Sequence, residues 1–250
     1  TIDNSALQFC VSETSVILTA TPSGGTFSGN GVTGSMFNPS SAGAGTHEII
    51  YEYGDNNGCE SSDTVYFEIL PLPAVDFSGL ALQYCVDAGA VTLTGNPAGG
   101  VFSGDGINGD VFTPDTSNAG QNDITYTYTD GNGCANTAIH SVSVYSLPAV
   151  QFSGLGDEYC ADADDVQLIG LPAGGAFIGP GMVSSDTFSI ASAGVGSHSI
   201  TYAFQDNNGC IGTAQQTTQI HPLPSVSFTG LATIYCLESD SVIIIGTPTG

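Results

Sequence analysis

The chain has 250 residues with no Lys and no Arg, against 24 Asp and Glu and four His, giving a formal net charge of −24. An ordinary globular chain is about a quarter charged residues of both signs, so this composition removes whole classes of function. Nucleic-acid binding needs cations to displace phosphate counterions and is excluded. So are electrostatic docking on an anionic membrane surface and the Lys or Arg clamps of phosphate-handling enzymes.

Apolar residues still make up 41% of the chain, with 34 Gly and 12 Pro, a profile of many short strands and tight turns rather than an acidic disordered tail. No run approaches the roughly 18 apolar residues of a membrane span, so no direct membrane insertion is expected. Thr1 opens no basic or apolar leader, and the expectation is a mature or internal segment.

A period of 75 or 76 residues organises the chain. Cys10, Cys85, Cys160 and Cys236 form a first series at that spacing, and Cys59, Cys134 and Cys210 a second. The second repeat shows the elements in chain order. It opens on the Pro-rich run LPLPAVDFSGL, matched by SLPAVQFSGL and HPLPSVSFTGL further on, and a strand is predicted near 74–79. Strands follow at about 90–95, then at 100–103 after Gly99-Gly100, and at 110–113. Next comes Ile124-Thr-Tyr126-Thr-Tyr128, whose period-2 alternation is that of a strand with one buried face. The sequence Asp-x-Asn-Gly-Cys (Asp130 to Cys134, with copies starting at Asp55 and Asp206) reads as a tight turn, and a last strand covers 137–145. No segment shows convincing helical periodicity.

The expected fold is all-β: tandem immunoglobulin-like β-sandwich domains of about 75 residues, each with one disulfide, arranged as a rod. The domains run 1–72, 73–147 and 148–223, with 224–250 the start of a fourth. That fourth repeat stops at Thr247-Pro248-Thr249-Gly250, which aligns with Thr21-Pro22-Ser23-Gly24 in mid-repeat, so the parent protein is expected to continue.

The simplest cysteine pairing is within each repeat: Cys10–Cys59, Cys85–Cys134 and Cys160–Cys210, with Cys236 pairing beyond Gly250. Closing a loop of some 50 residues contributes about 4 kcal/mol on the chain-entropy model, a useful staple for a small domain. Zinc is disfavoured, because structural zinc sites use closely spaced Cys and His pairs. Disulfides imply an oxidising, extracytoplasmic location, either secreted or on a bacterial cell surface. Pro71-Leu72-Pro73 and Pro222-Leu223-Pro224 hold the linkers extended.

Other motifs resolve into structural readings. Gly29-Asn-Gly31-Val-Thr-Gly34 and Gly104-Asp-Gly106-Ile-Asn-Gly109 match the dinucleotide-binding fingerprint literally, but Ser35-Met36-Phe37-Asn38-Pro39 is not expected to start the helix that such a site needs. Asp55, Asp130 and Asp206 are turn residues first and weak Ca²⁺ candidates second, since a full alternating ligand set is missing. His47 and His198 are in register while the middle repeat has Asn122 there, which disfavours a catalytic base. No catalytic residue, no cofactor-binding residue and no metal site beyond those weak Asp candidates is assigned. Asp63-Thr64-Val65 and Asp240-Ser241-Val242 resemble a three-residue O-glycosylation signal of Bacteroidota-type bacteria.

The succession of Cys, Val-x-Leu-x-Gly, Pro-Ala-Gly-Gly-x-Phe-Ser-Gly-x-Gly, Phe-x-Pro, Ile-x-Tyr-x-Tyr and Asp-x-Asn-Gly-Cys resembles immunoglobulin-like repeats of Bacteroidota (gliding-type) cell-surface adhesins and appendages. The resemblance implies export by type IX secretion and no catalytic residues. The expected function is therefore a structural repeat segment of a long adhesin or filamentous appendage. Its expected partners are neighbouring repeats and identical chains in a homo-oligomeric filament. A repeated glycan- or protein-binding module is the alternative, and an enzyme is not expected.

Overall fold

A computed structural model of the chain describes residues 1–4, 6–237 and 240–247; Pro248, Thr249 and Gly250 at the end of the fourth repeat lie outside the described residues. The chain divides into two compact units, Thr1–Tyr145 and Ser146–Gly250. The first holds two repeats, the second a third repeat and the beginning of a fourth.

In the first repeat the strands are β1 (Gln8–Cys10), β2 (Val16–Ile17), β3 (Thr26–Gly29), β4 (Val32–Thr33), β5 (Met36–Phe37), β6 (Gly45–Gly54) and β7 (Glu60–Leu70). The long hairpin β6–β7 is the frame. Its alternation turns Ile49 and Tyr51 inward on one strand and Phe67 and Ile69 on the other, all buried. β3 pairs antiparallel with β6, and β1 pairs parallel with β7, giving a four-stranded sheet in the order β1-β7-β6-β3. A small sheet in the order β2-β5-β4 supplies Phe37, and Leu18 follows β2. These side chains close a core with Phe9, Ile49, Phe67 and Ile69.

The same plan returns in the second repeat around the hairpin Gly120–Thr129 and Ala135–Tyr145, and in the third around Gly196–Gln205 and Ile211–His221. Core positions recur one period apart as Leu93 and Leu168, Phe112 and Phe188, Ile124 and Ile200, Val144 and Ile220. Where the first two repeats bury Phe67 and Val142, the third buries Thr218, whose hydroxyl donates to the Asp157 carbonyl at 3.3 Å. In the fourth, Ser227–Thr229 pairs with Ile245–Thr247. The chain is all-β, a tandem of small immunoglobulin-like sandwiches.

A tyrosine locks each of the three full repeats. The hydroxyls of Tyr51, Tyr126 and Tyr202 donate to the carbonyls of Pro22, Pro97 and Pro172 at 2.7, 2.6 and 2.5 Å. They accept from the amides of Gly25, Gly100 and Gly175 at 2.7, 2.7 and 2.8 Å. The second glycine of each Gly-Gly pair is required by close approach: a Cβ on Gly100 would lie 2.3 Å from the Thr127 carbonyl and 2.7 Å from the tyrosine hydroxyl.

Two expectations are corrected. Asn38 and Pro39 do start a helix, but only the single turn Pro39–Ala42, in which Asn38 caps the Ser41 amide and Pro39 occupies the first position. Ile190–Ala193 is its counterpart in the third repeat, and a 3-10 turn, Thr116–Asn118, stands there in the second. Elements of three or four residues are too short for a 3.6-residue period to register in the sequence. The strand β5 stands between the glycines and this turn, so no helix N-terminus follows them directly. The short strands Gln83–Cys85 and Ile107–Asn108 are additions to the predicted set.

Candidate functional site

The two cysteines of a repeat sit at opposite ends of its last strand. Cys10 closes β1, and the parallel register sets it beside Leu70, the final residue of β7. Cys59 immediately precedes Glu60, the first residue of that 11-residue strand. At a rise of about 3.3 Å per residue the two cysteines are on the order of 35 Å apart, whereas a disulfide needs Cα atoms within about 7 Å. The register is the same in the other repeats, with Cys85 beside Tyr145 and Cys160 beside His221.

The bond that forms joins Cys10 to Cys134, with Cα atoms 5.5 Å apart and a sequence separation of 124. The staple runs from the end of one repeat to the start of the last strand in the next. The within-repeat pairs Cys10–Cys59 and Cys85–Cys134 are therefore corrected. Cys160–Cys210 is corrected too: Cys160 and Cys59 are exposed thiols, while Cys85 and Cys210 are half-cystines. The expectation of one disulfide inside each domain fails because sequence spacing cannot show that β1 lies parallel to β7 and so carries its cysteine to the far end.

The cysteines of the three full repeats are presented by fixed turns. In the second series, the carboxylates of Asp55, Asp130 and Asp206 accept from the amides of Cys59, Cys134 and Cys210, each at 2.9 Å. They also accept from the amides of Asn57, Asn132 and Asn208. These bonds hold the Asp55 carboxyl below its ordinary value of 3.8, the Cys59 amide being the largest cause and Asn57 the next. A depressed folded value means that the turn's contribution to stability is full above pH 3.8 and is lost as pH falls through the lower folded value. The three weak cation candidates thus stand one per repeat, each committed to its own cysteine turn. Among the described residues no group of three or more metal-ligating side chains converges.

In the first series, the amides of Glu13, Ala88 and Ala163 donate to the carbonyls of Cys10, Cys85 and Cys160, each at 3.0 Å. The Val11, Val86 and Ala161 amides donate across to the last strand, each at 2.9 Å. Bonded and free cysteines are therefore held by the same backbone frame.

The linker between repeats 1 and 2 is part of the junction. Asn136, two residues after Cys134, donates its side-chain amide to the Pro73 carbonyl at 2.9 Å. Val75 packs against the core of the second repeat. In the third repeat the same position is Gly212, where a Cβ would come within 2.2 Å of the Pro148 carbonyl and 2.6 Å of Val150.

The histidines have structural partners. The ring Nε2 of His47 donates to the Gly43 carbonyl and that of His198 to the Gly194 carbonyl, both at 2.8 Å. The Asn122 side chain makes the equivalent bond to the Asn118 carbonyl at 2.7 Å, so Asn replaces His because only an N–H is needed. His140 stacks on Phe77 and lies 3.0 Å from Asp76, and His221 lies 3.5 Å from Glu158.

Two hollows recur one period apart, of about 470 Å³ beside Leu18, Gly25, Phe27 and Tyr51 and about 490 Å³ beside Leu93, Gly100, Phe102 and Tyr126. Sequence reasoning did not single them out, nor the tyrosine hydroxyls that wall them. The signal was the fixed distance from each Gly-Gly pair to the Ile-x-Tyr strand.

No family model matches the chain, and no curated protein matches it in sequence. Among solved structures it is similar to a Ca²⁺-stabilised adhesin with which an Antarctic bacterium binds ice, at 14% identity and a TM-score of 0.30, over 88% of this chain and 72% of that one. A 1.5-MDa bacterial ice-binding adhesin matches at 13% identity and 0.33, over 83% and 89%. The insect immune protein hemolin matches at 10% identity and 0.29, over 88% and 75%.

Proposed function

We propose that the chain is a structural repeat segment of a long extracellular adhesin or filamentous surface appendage, a stalk or fibre through which a cell attaches to or captures other cells and surfaces. The observation that carries this reading is the Cys10–Cys134 bond. A staple inside a module stabilises that module alone, whereas one between modules preserves the connection when either is strained. Such bonds form and persist in oxidising, extracytoplasmic surroundings. The absence of Lys and Arg leaves trypsin-like proteases no site, which suits an exposed fibre. In this reading identical chains associate side by side, export follows the type IX route, and diffuse divalent cations screen the −24 charge.

Electron microscopy of the protein in divalent-containing buffer, with and without reductant, tests it. The expected images are beaded rods, one bead per repeat, whose junctions become flexible on reduction. Junctions equally flexible before and after reduction would overturn the reading. The recurring hollows favour a second reading, a repeated glycan- or protein-binding module. Saturable binding on a glycan array that is lost when the hollow is filled by Ser23→Phe together with Ala98→Phe, both lining residues, would promote it.

A further inference from the structure

Four cysteines of the two series are half-cystines, namely Cys10 and Cys85 of the first and Cys134 and Cys210 of the second. Cys59 occupies the position of Cys134 and Cys210, and Cys160 that of Cys10 and Cys85. Both are thiols and both are exposed, whereas Cys10 is 7% and Cys134 0% exposed within their bond.

Their frames are already in the bonded geometry. The Asp55 carboxylate holds the Cys59 amide at the same 2.9 Å as Asp130 holds that of Cys134, and the Ala163 amide reaches the Cys160 carbonyl at the same 3.0 Å as Glu13 reaches Cys10. A second feature beside Cys59 points to a missing neighbour. Where Asn136 holds the linker carbonyl of Pro73, the first repeat has the exposed Ser61, on a hollow of about 380 Å³ lined also by Thr26, Glu52, Tyr53, Glu60 and Ser62.

We propose that Cys59 and Cys160 are complementary half-sites of the recurring staple. Cys59, with the hollow beside Ser61, receives the first-series cysteine and following linker of another repeat of this kind, and Cys160 receives a second-series cysteine. On a second copy of this chain, the pair formed is Cys59 to Cys160. The chemistry is thiol–disulfide exchange with a small disulfide such as oxidised glutathione. One protein thiolate attacks it and expels a glutathione thiolate. The other protein thiol then displaces the second glutathione, and the two protons lost by the protein end on the two glutathione thiols.

The test uses the 250-residue chain in a Cys236→Ser background, which takes that cysteine out of the exchange, incubated with oxidised glutathione and mapped by non-reducing peptide mass spectrometry. Adding Cys59→Ser gives one partner and adding Cys160→Ser the other. Each alone is expected to remain monomeric, while their mixture gives a disulfide-linked dimer containing a Cys59–Cys160 peptide. An intact Cys10–Cys134 peptide in every sample shows that the variants are folded. Homodimers in either variant alone at the yield of the mixture, full alkylation of both thiols after oxidation, or Cys59 joined to Cys10 in the parent chain would each overturn the proposal.

Discussion

Inside the repeats, Tyr51, Tyr126 and Tyr202 make the same two hydrogen bonds with the same residue types three times over. At the junctions, the position two residues after the second cysteine is Ser61, Asn136 or Gly212, and its environment changes with it. The interior is specified by packing and by buried polar groups that must be satisfied, so drift there is costly. The junction beside Asn136 has the Cys10–Cys134 bond as well as a side-chain contact to hold its partners, so drift of the side chain costs less there.

That contrast can be broken in three places. The largest effect is expected from Cys10→Ser with Cys134→Ser, which frees a span of 124 residues in the unfolded chain and on the chain-entropy model costs about 5 kcal/mol. Urea unfolding should show a lower midpoint for the first unit and no change for the second. A loss of stability confined to one repeat of that unit would mean that the bond serves a module after all.

Tyr126→Phe and Tyr202→Phe come next, each removing two part-buried hydrogen bonds, at about 2 kcal/mol for the two together. Equal losses would sharpen the claim that the interior is one device repeated, and losses differing severalfold would contradict it. The smallest effect concerns Asn122. Asn122→Ala should cost about 1 kcal/mol by removing the side-chain hydrogen bonds to the Asn118 and Gly120 carbonyls, while Asn122→His, which supplies the N–H found in the neighbouring repeats, should stay within about 0.5 kcal/mol of the parent by calorimetry.

Much of this architecture was open to reading from the residues. The alternation from Ile124 to Tyr128 marks a half-buried strand because side-chain direction has a period of two, and the cysteine series marks the module length. The Asp-x-Asn-Gly-Cys turns were readable as hairpins because Asp and Gly have strong local preferences. What stayed hidden was long-range. Nothing near Gln8–Cys10 announces that this strand lies parallel to one that begins 50 residues later, yet that pairing decides which cysteines can meet. The tyrosine hydroxyls were hidden for the same reason, since their partners, Pro22, Pro97 and Pro172, are about 30 residues away.

Pulled from its two ends, a string of independently folded modules lengthens each time one unravels. The Cys10–Cys134 bond removes that option across its span of 124 residues. Tension that arrives at Cys10 leaves at Cys134 through two sulfur atoms, and the intervening backbone, about 400 Å when drawn out, bears none of it. Over that stretch the protein is mechanically a cable of fixed length, and a reductant turns it into a spring.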